Sequence, residues 1–377
     1  SQRKVSMSET LQEFHERMMH RVLKLAQKGF IQIAPDPFRG ALVARDKDIV
    51  GEGFMANRRD QEPEVYALKA AGEKAKGSTL YLNLEPAYGK GVVEQIIAAG
   101  IAHVVVSMKD PNPNVSGKSL KALQNAGVEV TTDILTEESR ELNEIYIKDV
   151  STRRPFVNVL TAMSLDGKTA TAMGDSQGIT GPESREFVQQ LRARYDAVML
   201  GVNSILQDDP QLNCKALRGC DPWRIIIDSQ GRTPTASRVF LRSDLDDSRA
   251  PVLIAISYGA HEEHLRSLRH AGAEIIHCPD EGSAEPRVDL ARLMIQLNKR
   301  GITSVLIEGG STLRGAALEA GIVDKMTFLM APKIFGSADA RSAIDGEGAT
   351  IVSEARELKR LKARYLGSDI AIEGYLE

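Results

Sequence analysis

Val305-Leu306-Ile307-Glu308-Gly309-Gly310-Ser311-Thr312-Leu313-Arg314-Gly315-Ala316 is the stretch around which the rest of the chain is read. The apolar run over residues 304–307 reads as a buried strand, and two glycines then turn the chain into a helical pattern over residues 313–320. A strand, a turn and a helix in that order point free backbone N–H groups at whatever sits above the strand's end, and such a place favours an anion. The glycines let the backbone approach a phosphate with no Cβ in the way, and the helix dipole adds about 0.3–1 kcal/mol. Glu308 stands at the C-terminal edge of the strand, where ligands of open α/β sheets bind. On its own the glycine pair suits a tight turn as well as a phosphate seat, and what lies upstream has to separate the two.

A chain of 377 residues is long enough for two domains, and 42% hydrophobic with 26% charged residues fits a soluble globular protein. The formal net charge of -3 gives no electrostatic reason to expect nucleic acid or an anionic membrane as partner. No apolar run approaches the ~20 residues of a membrane-spanning helix, and the N-terminus lacks the hydrophobic region of a signal peptide. These features predict a cytoplasmic protein, or a plastid one if the source is a plant or alga. Cys214, Cys220 and Cys278 are too few and too widely spaced for a disulfide framework or a zinc knuckle. Ala260-His261-Glu262-Glu263-His264 lacks the i, i+4 histidine spacing of a zinc protease and reads as a solvated helix.

Leu11, Phe14, Met18, Val22 and Leu25 fall at helical spacing over residues 8–29. Strand patterns follow at 40–45 and 49–54, then a helix at 65–76, a strand at 79–84, a helix at 92–99, a strand at 103–108, a helix at 120–126 and a strand at 128–131. Such alternation predicts an α/β layer sandwich. A polar helical pattern over 136–148 leads into Ser151-Thr152-Arg153-Arg154-Pro155, which is read as the boundary between residues 1–150 and residues 151–377. The second half begins with a strand at 156–163, a helix at 183–194 and a strand at 197–201. A short helix at 203–207 stops before Pro210, because a residue preceding proline disfavours the helical region. Strands at 224–227, 252–256 and 274–277 and a helix at 287–299 come before the opening stretch. Strands at 325–331, 363–366 and 369–375 close the chain, the last two as an antiparallel pair.

Four segments of the first half, Asp36-Pro37-Phe38-Arg39-Gly40-Ala41-Leu42-Val43, Glu64-Val65-Tyr66-Ala67-Leu68-Lys69-Ala70-Ala71-Gly72, Leu84-Glu85-Pro86 and Asp110-Pro111-Asn112-Pro113-Asn114-Val115, carry a resemblance. They look like the deaminase domain of the bifunctional deaminase/reductase family of riboflavin biosynthesis, which implies a cytidine-deaminase-like α/β/α sandwich. That family holds zinc with a histidine two residues before a proton-shuttling glutamate and with two cysteines beginning just after a Glu-Pro. Here Glu62 stands at the histidine position, Ala87 at the first cysteine, and Tyr88-Gly89-Lys90-Gly91 shortens the segment with the second. Zinc lowers the pKa of its bound water from 15.7 to roughly 7, and Glu64, which matches the shuttling glutamate, has no other way to make hydroxide. No zinc is expected, and this half is expected to be an inactive scaffold; a residual pyrimidine-binding or regulatory role stays open.

The second half matches the same family more densely. Ala162-Met163-Ser164-Leu165-Asp166-Gly167-Lys168, Gly174-Asp175-Ser176-Gln177, Ile179-Thr180-Gly181-Pro182, Asp208-Asp209-Pro210-Gln211-Leu212, Asp228-Ser229-Gln230-Gly231-Arg232-Thr233-Pro234 and Glu308-Gly309-Gly310 occur in order. Together they resemble the reductase domain, which implies a dihydrofolate-reductase-like fold and NADPH as cofactor. Ala162, Ser204, Asp208, Ser229, Gly310, Ser311, Thr312, Leu313, Arg314, Gly315 and Ala316 match cofactor positions, and Ser176, Arg192, Leu212, Lys215 and Glu308 match substrate positions. Gly178 replaces a tryptophan that contacts the cofactor in many members, and Lys215 replaces an arginine, keeping the charge but not the bidentate fork.

Ser204 and Asp208, four apart on a short helix, share a face and can serve one ligand; an ordinary first-turn serine and a helix-ending acid would look the same. Arg232, on a loop after a buried strand, suits a 2′-phosphate through its planar fork, or is a solvated turn arginine. Lys168 is read either as a phosphate ligand or as a surface residue after a turn. The reaction implied is NADPH-dependent reduction of the ribose of 5-amino-6-(5-phosphoribosylamino)uracil, with Glu308 and Asp208 as the candidates for proton transfer. A reductase acting on another pyrimidine or a pterin, a non-catalytic regulatory homologue, and a working deaminase with Glu62 as substitute ligand are the alternatives. A homodimer through the reductase domain is expected.

Overall fold

The structure is a computed structural model that describes residues 10–29, 35–57, 59–214, 221–241 and 251–376. The chain divides into two compact units, Ser1–Thr152 and Arg153–Glu377.

In the first unit the strands β1 (Gly40–Arg45), β2 (Asp48–Phe54), β3 (Thr79–Leu84), β4 (His103–Met108) and β5 (Glu129–Thr132) form one sheet in the order β2-β1-β3-β4-β5. β1 runs antiparallel to β2 and β3, and β3, β4 and β5 are mutually parallel. Helix α1 (Leu11–Ala26) is capped by Thr10 and Glu13 and buries Met18, Met19 and Val22 against Leu42, Tyr81 and Val105. The other face is covered by α2 (Pro63–Ala71), α3 (Val92–Ala98) and α4 (Lys118–Asn125), which supply Ala67, Ile96 and Leu123 to a second apolar cluster. The α/β/α layering follows, because each helix has one apolar stripe and the sheet two apolar faces.

The polar pattern over 136–148 is not one helix. It forms α5 (Thr136–Leu142) and α6 (Glu144–Thr152), broken at Asn143. The buried Asn143 side chain accepts from Phe38 N at 2.7 Å and donates to Phe38 O at 3.2 Å, so a long-range amide contact overrides the local helical pattern.

The second unit contains β6 (Phe156–Ser164), β7 (Lys168–Ala170), α7 (Pro182–Arg194), β8 (Ala197–Gly201), α8 (Val202–Asp208), β9 (Trp223–Ile227), β10 (Val252–Ile256), α9 (Glu262–Ala271) and β11 (Ala273–His277). It continues with α10 (Leu290–Asn298), β12 (Ser304–Ile307), α11 (Ser311–Glu319), β13 (Lys325–Ala331), β14 (Arg341–Ser342), β15 (Lys359–Leu366) and β16 (Asp369–Tyr375). Nine strands form one sheet in the order β11-β10-β9-β8-β12-β6-β13-β16-β15, parallel up to β13 and antiparallel thereafter. The small β7–β14 pair lies outside it and has no counterpart in the sequence reading.

The helical pattern over 287–299 starts only at Leu290, because Asp289 accepts from Arg292 N and caps the first turn. The sheet order has one consequence for function. β12 lies between β8 and β6, with Ile307 paired to Met199 on one side and Val159 on the other, and β9 lies beyond β8. The C-terminal ends of four strands distant in sequence therefore open side by side. The start of β12 is fixed by Asp196, whose Oδ2 accepts from Thr303 N, Thr303 Oγ1 and Ser304 N at 2.7–3.1 Å.

Candidate active site

The loops leaving β8, β9 and β12 enclose a cleft of about 660 Å³. Ser204 reaches it from α8, Ser229 and Arg232 from the loop after β9, and Gly310, Ser311, Thr312, Leu313 and Ala316 from the start of α11. A Cβ at residue 310 would have Ser204 Oγ as its nearest neighbour, 3.9 Å away, so the glycine leaves the backbone open to the cleft. Arg232 Nη2 donates to Asn203 Oδ1 at 3.0 Å, which holds the guanidinium at the rim. Gly315 faces the other way. A Cβ there would lie 1.7 Å from Asp345 O, so this glycine admits the backbone of residues 345–346 against α11 and reaches the cleft only through that segment.

A smaller cavity of about 250 Å³ adjoins the cleft and shares Ser204, Gln207, Gly310, Ser311 and Arg341 with it. Ala162, Ser176, Asp208, Glu308 and Arg314 line it. Asp208 is exposed at the end of α8. Glu308 is part-buried and bound by Arg192 of α7: Nε donates to Oε1 and Nη2 to Oε2, both at 2.6 Å. This bidentate pair holds the Arg192 guanidinium above its ordinary value, the Glu308 charge outweighing the effect of burial. Arg192 also lines a third cavity of about 430 Å³ with Leu212 and Arg238. The substrate-matching residues are thus divided, Ser176 and Glu308 in one cavity and Arg192 and Leu212 in the next, and the ion pair joins the two. Lys215 lies outside the described residues.

Lys168 Nζ donates to Ala340 O at 3.2 Å, and Asp166 accepts from Ser164 Oγ, Phe335 N and Gly336 N. These bonds tether the loop that carries Arg341. Hydrogen bonding to Ser164 and the two amides holds the Asp166 carboxyl down at about 2. At Gly178, the position of the missing tryptophan, φ is +65° and the carbonyl accepts from Lys333 Nζ at 2.5 Å. Sequence reasoning missed Arg341, Gln207, Asn203 and Arg287 as cavity residues. Exposed polar residues, here two on α8, one on β14 and one on a loop, leave no apolar periodicity to read, and only the fold brings them together.

In the first unit the Arg39 guanidinium is 7% exposed and lies among three carboxylates. Its Nη1 is 3.8 Å from both Glu62 Oε2 and Glu64 Oε1, and its Nη2 donates to Asp110 Oδ2 at 3.4 Å. Lys90 Nζ donates to Glu62 Oε1 at 2.5 Å and Tyr146 OH to Asp110 Oδ1 at 2.9 Å. Burial pushes the Glu64 carboxyl up to about 7 against the opposing pull of Arg39. Glu85 accepts from the backbone N–H groups of Asp110, Gly117 and Ser119, and Ala87 packs into the apolar cluster of that unit. Among the described residues, no three His, Cys, Asp or Glu side chains are grouped to hold a metal ion.

The profile of the RibD C-terminal domain matches residues 155–372. The riboflavin biosynthesis protein RibD of Escherichia coli K12 is 36% identical over 385 aligned positions, covering 95% of this chain and 98% of that protein. The chain belongs to the RibD family. Two solved RibD-family structures are similar over both units. Acinetobacter baumannii RibD has a TM-score of 0.81 at 32% identity, covering 97% of this chain and 99% of that one. A deaminase/reductase from Thermotoga maritima has a TM-score of 0.81 at 30% identity, covering 98% and 100%. The first unit is therefore the RibD deaminase-like domain and the second its reductase domain, and the chain is an NADPH-dependent reductase with a role in riboflavin biosynthesis. Among the described residues no helix is long and apolar enough to cross a membrane.

Proposed function

We propose that the second unit reduces the ribose of 5-amino-6-(5-phosphoribosylamino)uracil to the ribitylamino form, and that the first unit does not deaminate. The observation that carries the first part is the junction of the cleft with the Glu308 cavity across Ser204, Gly310 and Ser311. A dinucleotide seated along the cleft is held by Ser204, Ser229, Arg232 and the opening turn of α11. Bound NADPH supplies the hydride that C1′ of the ring-opened sugar receives.

The chain's own residues position the sugar and handle the proton. Both Glu308 oxygens are engaged by Arg192, which suits Glu308 to orienting ribose hydroxyls. Asp208 has no hydrogen bond to a described residue and faces the same cavity, which suits it better to relaying the proton taken up as the ring opens. Arg192 suits the phosphate ester, a role the resemblance also implies for Lys215. Most of the rate comes from holding C1′ against the reduced ring, since the cofactor carries the hydride.

For the first unit, the donor set does not suit zinc. A guanidinium already sits among Glu62, Glu64 and Asp110, and two cations cannot share that space. No deamination step is derived for it. The edge strand β15 exposes Leu361 and Tyr365, a surface suited to joining two copies through the second unit, which light scattering would detect.

The test is NADPH oxidation with the uracil substrate and its non-deaminated counterpart side by side, with ammonia release followed in the presence and absence of added zinc. Oxidation with the uracil compound and no ammonia from the other is the expected result. Turnover of neither would refute the reductase assignment, and zinc-dependent ammonia release would refute the account of the first unit.

A further inference from the structure

Arg314 sits in α11 one turn after the glycine pair, and only 5% of it is exposed. Its Nε has no hydrogen-bond partner, and its guanidinium makes no hydrogen bond or ion pair with a described residue. The part-buried Arg192 has Glu308, and the buried Arg224, although its Nε also lacks a partner, donates through its terminal nitrogens to Val239 O, Leu241 O and Asp221. Asp345 is the one opposing charge that acts on Arg314, and its Oδ2 is occupied by Ser311 Oγ at 2.5 Å. Burial accordingly pushes the Arg314 guanidinium down to about 10. Buried charges persist where something neutralises them, and a folded chain that keeps one without a partner has left a place for an anion.

The surroundings say which anion. Arg314 lines the smaller cavity beside Gly310 and Ser311, whose N–H groups begin α11, and Arg341 enters the same space from β14. Among the described residues the Arg341 guanidinium has only a 3.4 Å contact to Gln207 Oε1, so it can turn towards a ligand. Two guanidinium groups and a helix start converging on one cavity suit a phosphate, whose oxygens accept in several directions at once.

We propose that Arg314 and Arg341 together bind a phosphate group of a ligand seated over the first turn of α11. This deepens the reductase reading and rests on it for the ligand's identity. The phosphate belongs either to the diphosphate of the reduced dinucleotide or to the phosphate ester of the sugar substrate. The resemblance put residue 314 in the cofactor stretch by its position; the structure assigns the work to its side chain.

The experiment compares the full-length wild type with Arg314→Met and Arg314→Lys. NADPH affinity is read by fluorescence titration, inhibition by ribose 5-phosphate in the reductase assay, and the melting temperature with and without inorganic pyrophosphate. Arg314→Met is expected to melt no lower than wild type without ligand, because it removes an uncompensated buried charge. It is also expected to lose the pyrophosphate-induced rise in melting temperature and to weaken one ligand by about tenfold to a hundredfold, the loss that follows removal of charge-assisted hydrogen bonds. Arg314→Lys should recover part of that loss. Weakened NADPH with unchanged ribose 5-phosphate inhibition identifies the dinucleotide as the source, and the reverse pattern identifies the substrate. Both constants within about twofold of wild type, or a lowered melting temperature with the pyrophosphate response intact, would overturn the proposal. Should wild type bind no NADPH, the reductase reading fails, while the pyrophosphate response of wild type against Arg314→Met still decides the anion site.

Discussion

Glu64→Gln offers a quantitative test of the charge cluster in the first unit. The carboxyl is 1% exposed, and burial raises it from 4.5 to about 7 although Arg39 lies 3.8 Å away. Desolvation thus wins over the ion pair, in keeping with the absence of a hydrogen-bond partner for Glu64 Oε2. A carboxyl raised in the folded state binds its proton more tightly there than in the unfolded chain. Its contribution to stability is complete below pH 4.5 and is lost as the pH rises through about 7. At about 1.4 kcal/mol per tenfold change in the proton equilibrium, the loss amounts to about 3 kcal/mol. Glutamine is nearly isosteric and does not titrate, so the variant should escape it, while Arg39 keeps Glu62 and Asp110 as counter-charges. Urea unfolding of the full chain, read by pulse proteolysis of first-unit fragments from pH 4.5 to 8, measures the difference. The stability of Glu64→Gln relative to wild type should climb by about 3 kcal/mol across that window and level off above it. Parallel curves for the two proteins would show that Glu64 does not titrate in the folded state near neutrality, and the desolvation argument would fall.

Replacing Glu308 by Gln leaves the part-buried Arg192 without its counter-charge and should destabilise the second unit by about 3 kcal/mol. It should also lower reductase turnover by at least about a hundredfold, checked by thermal melting and steady-state kinetics. Arg192→Lys keeps the charge but cannot make both 2.6 Å bonds, so the KM for the phosphorylated substrate should rise by about tenfold. Gly315→Ala would drive a methyl group into Asp345 O and should cost about 1–3 kcal/mol while weakening NADPH, both read in one ligand-dependent melting series. If Arg232 faces a 2′-phosphate, Arg232→Ala should reduce the preference for NADPH over NADH by about tenfold without changing NADH affinity, measured by fluorescence titration.

Much of the architecture was legible in the chain because the signals are local. The apolar run before Glu308 is β12, Gly309 and Gly310 do turn it into α11, and the reading of 197–201 followed by a short helix ending near Pro210 matches β8 and α8. The strand placed at 325–331 coincides with β13. Local reasoning failed where a distant group intervened. Asn143 breaks the helix over 136–148 because Phe38, 105 residues away, takes both ends of its amide. The strand at 363–366 extends back to Lys359 because β16 supplies a ladder for it.

The site shows the same division. Side-chain type and position alone pointed to Glu308 and the glycine pair, since strand-to-helix turns announce themselves in sequence, whereas Ser204 and Ser229 became candidates through the family resemblance. Neither the Arg192–Glu308 pair, spanning 116 residues, nor the buried Arg39 among its three carboxylates could be read that way. Hydrophobic periodicity and turn chemistry act over a few residues and are written along the chain. Which charges meet, and which one is buried without a partner, depends on strand order and on the water excluded when the sheet closes, and these exist only once the chain has folded.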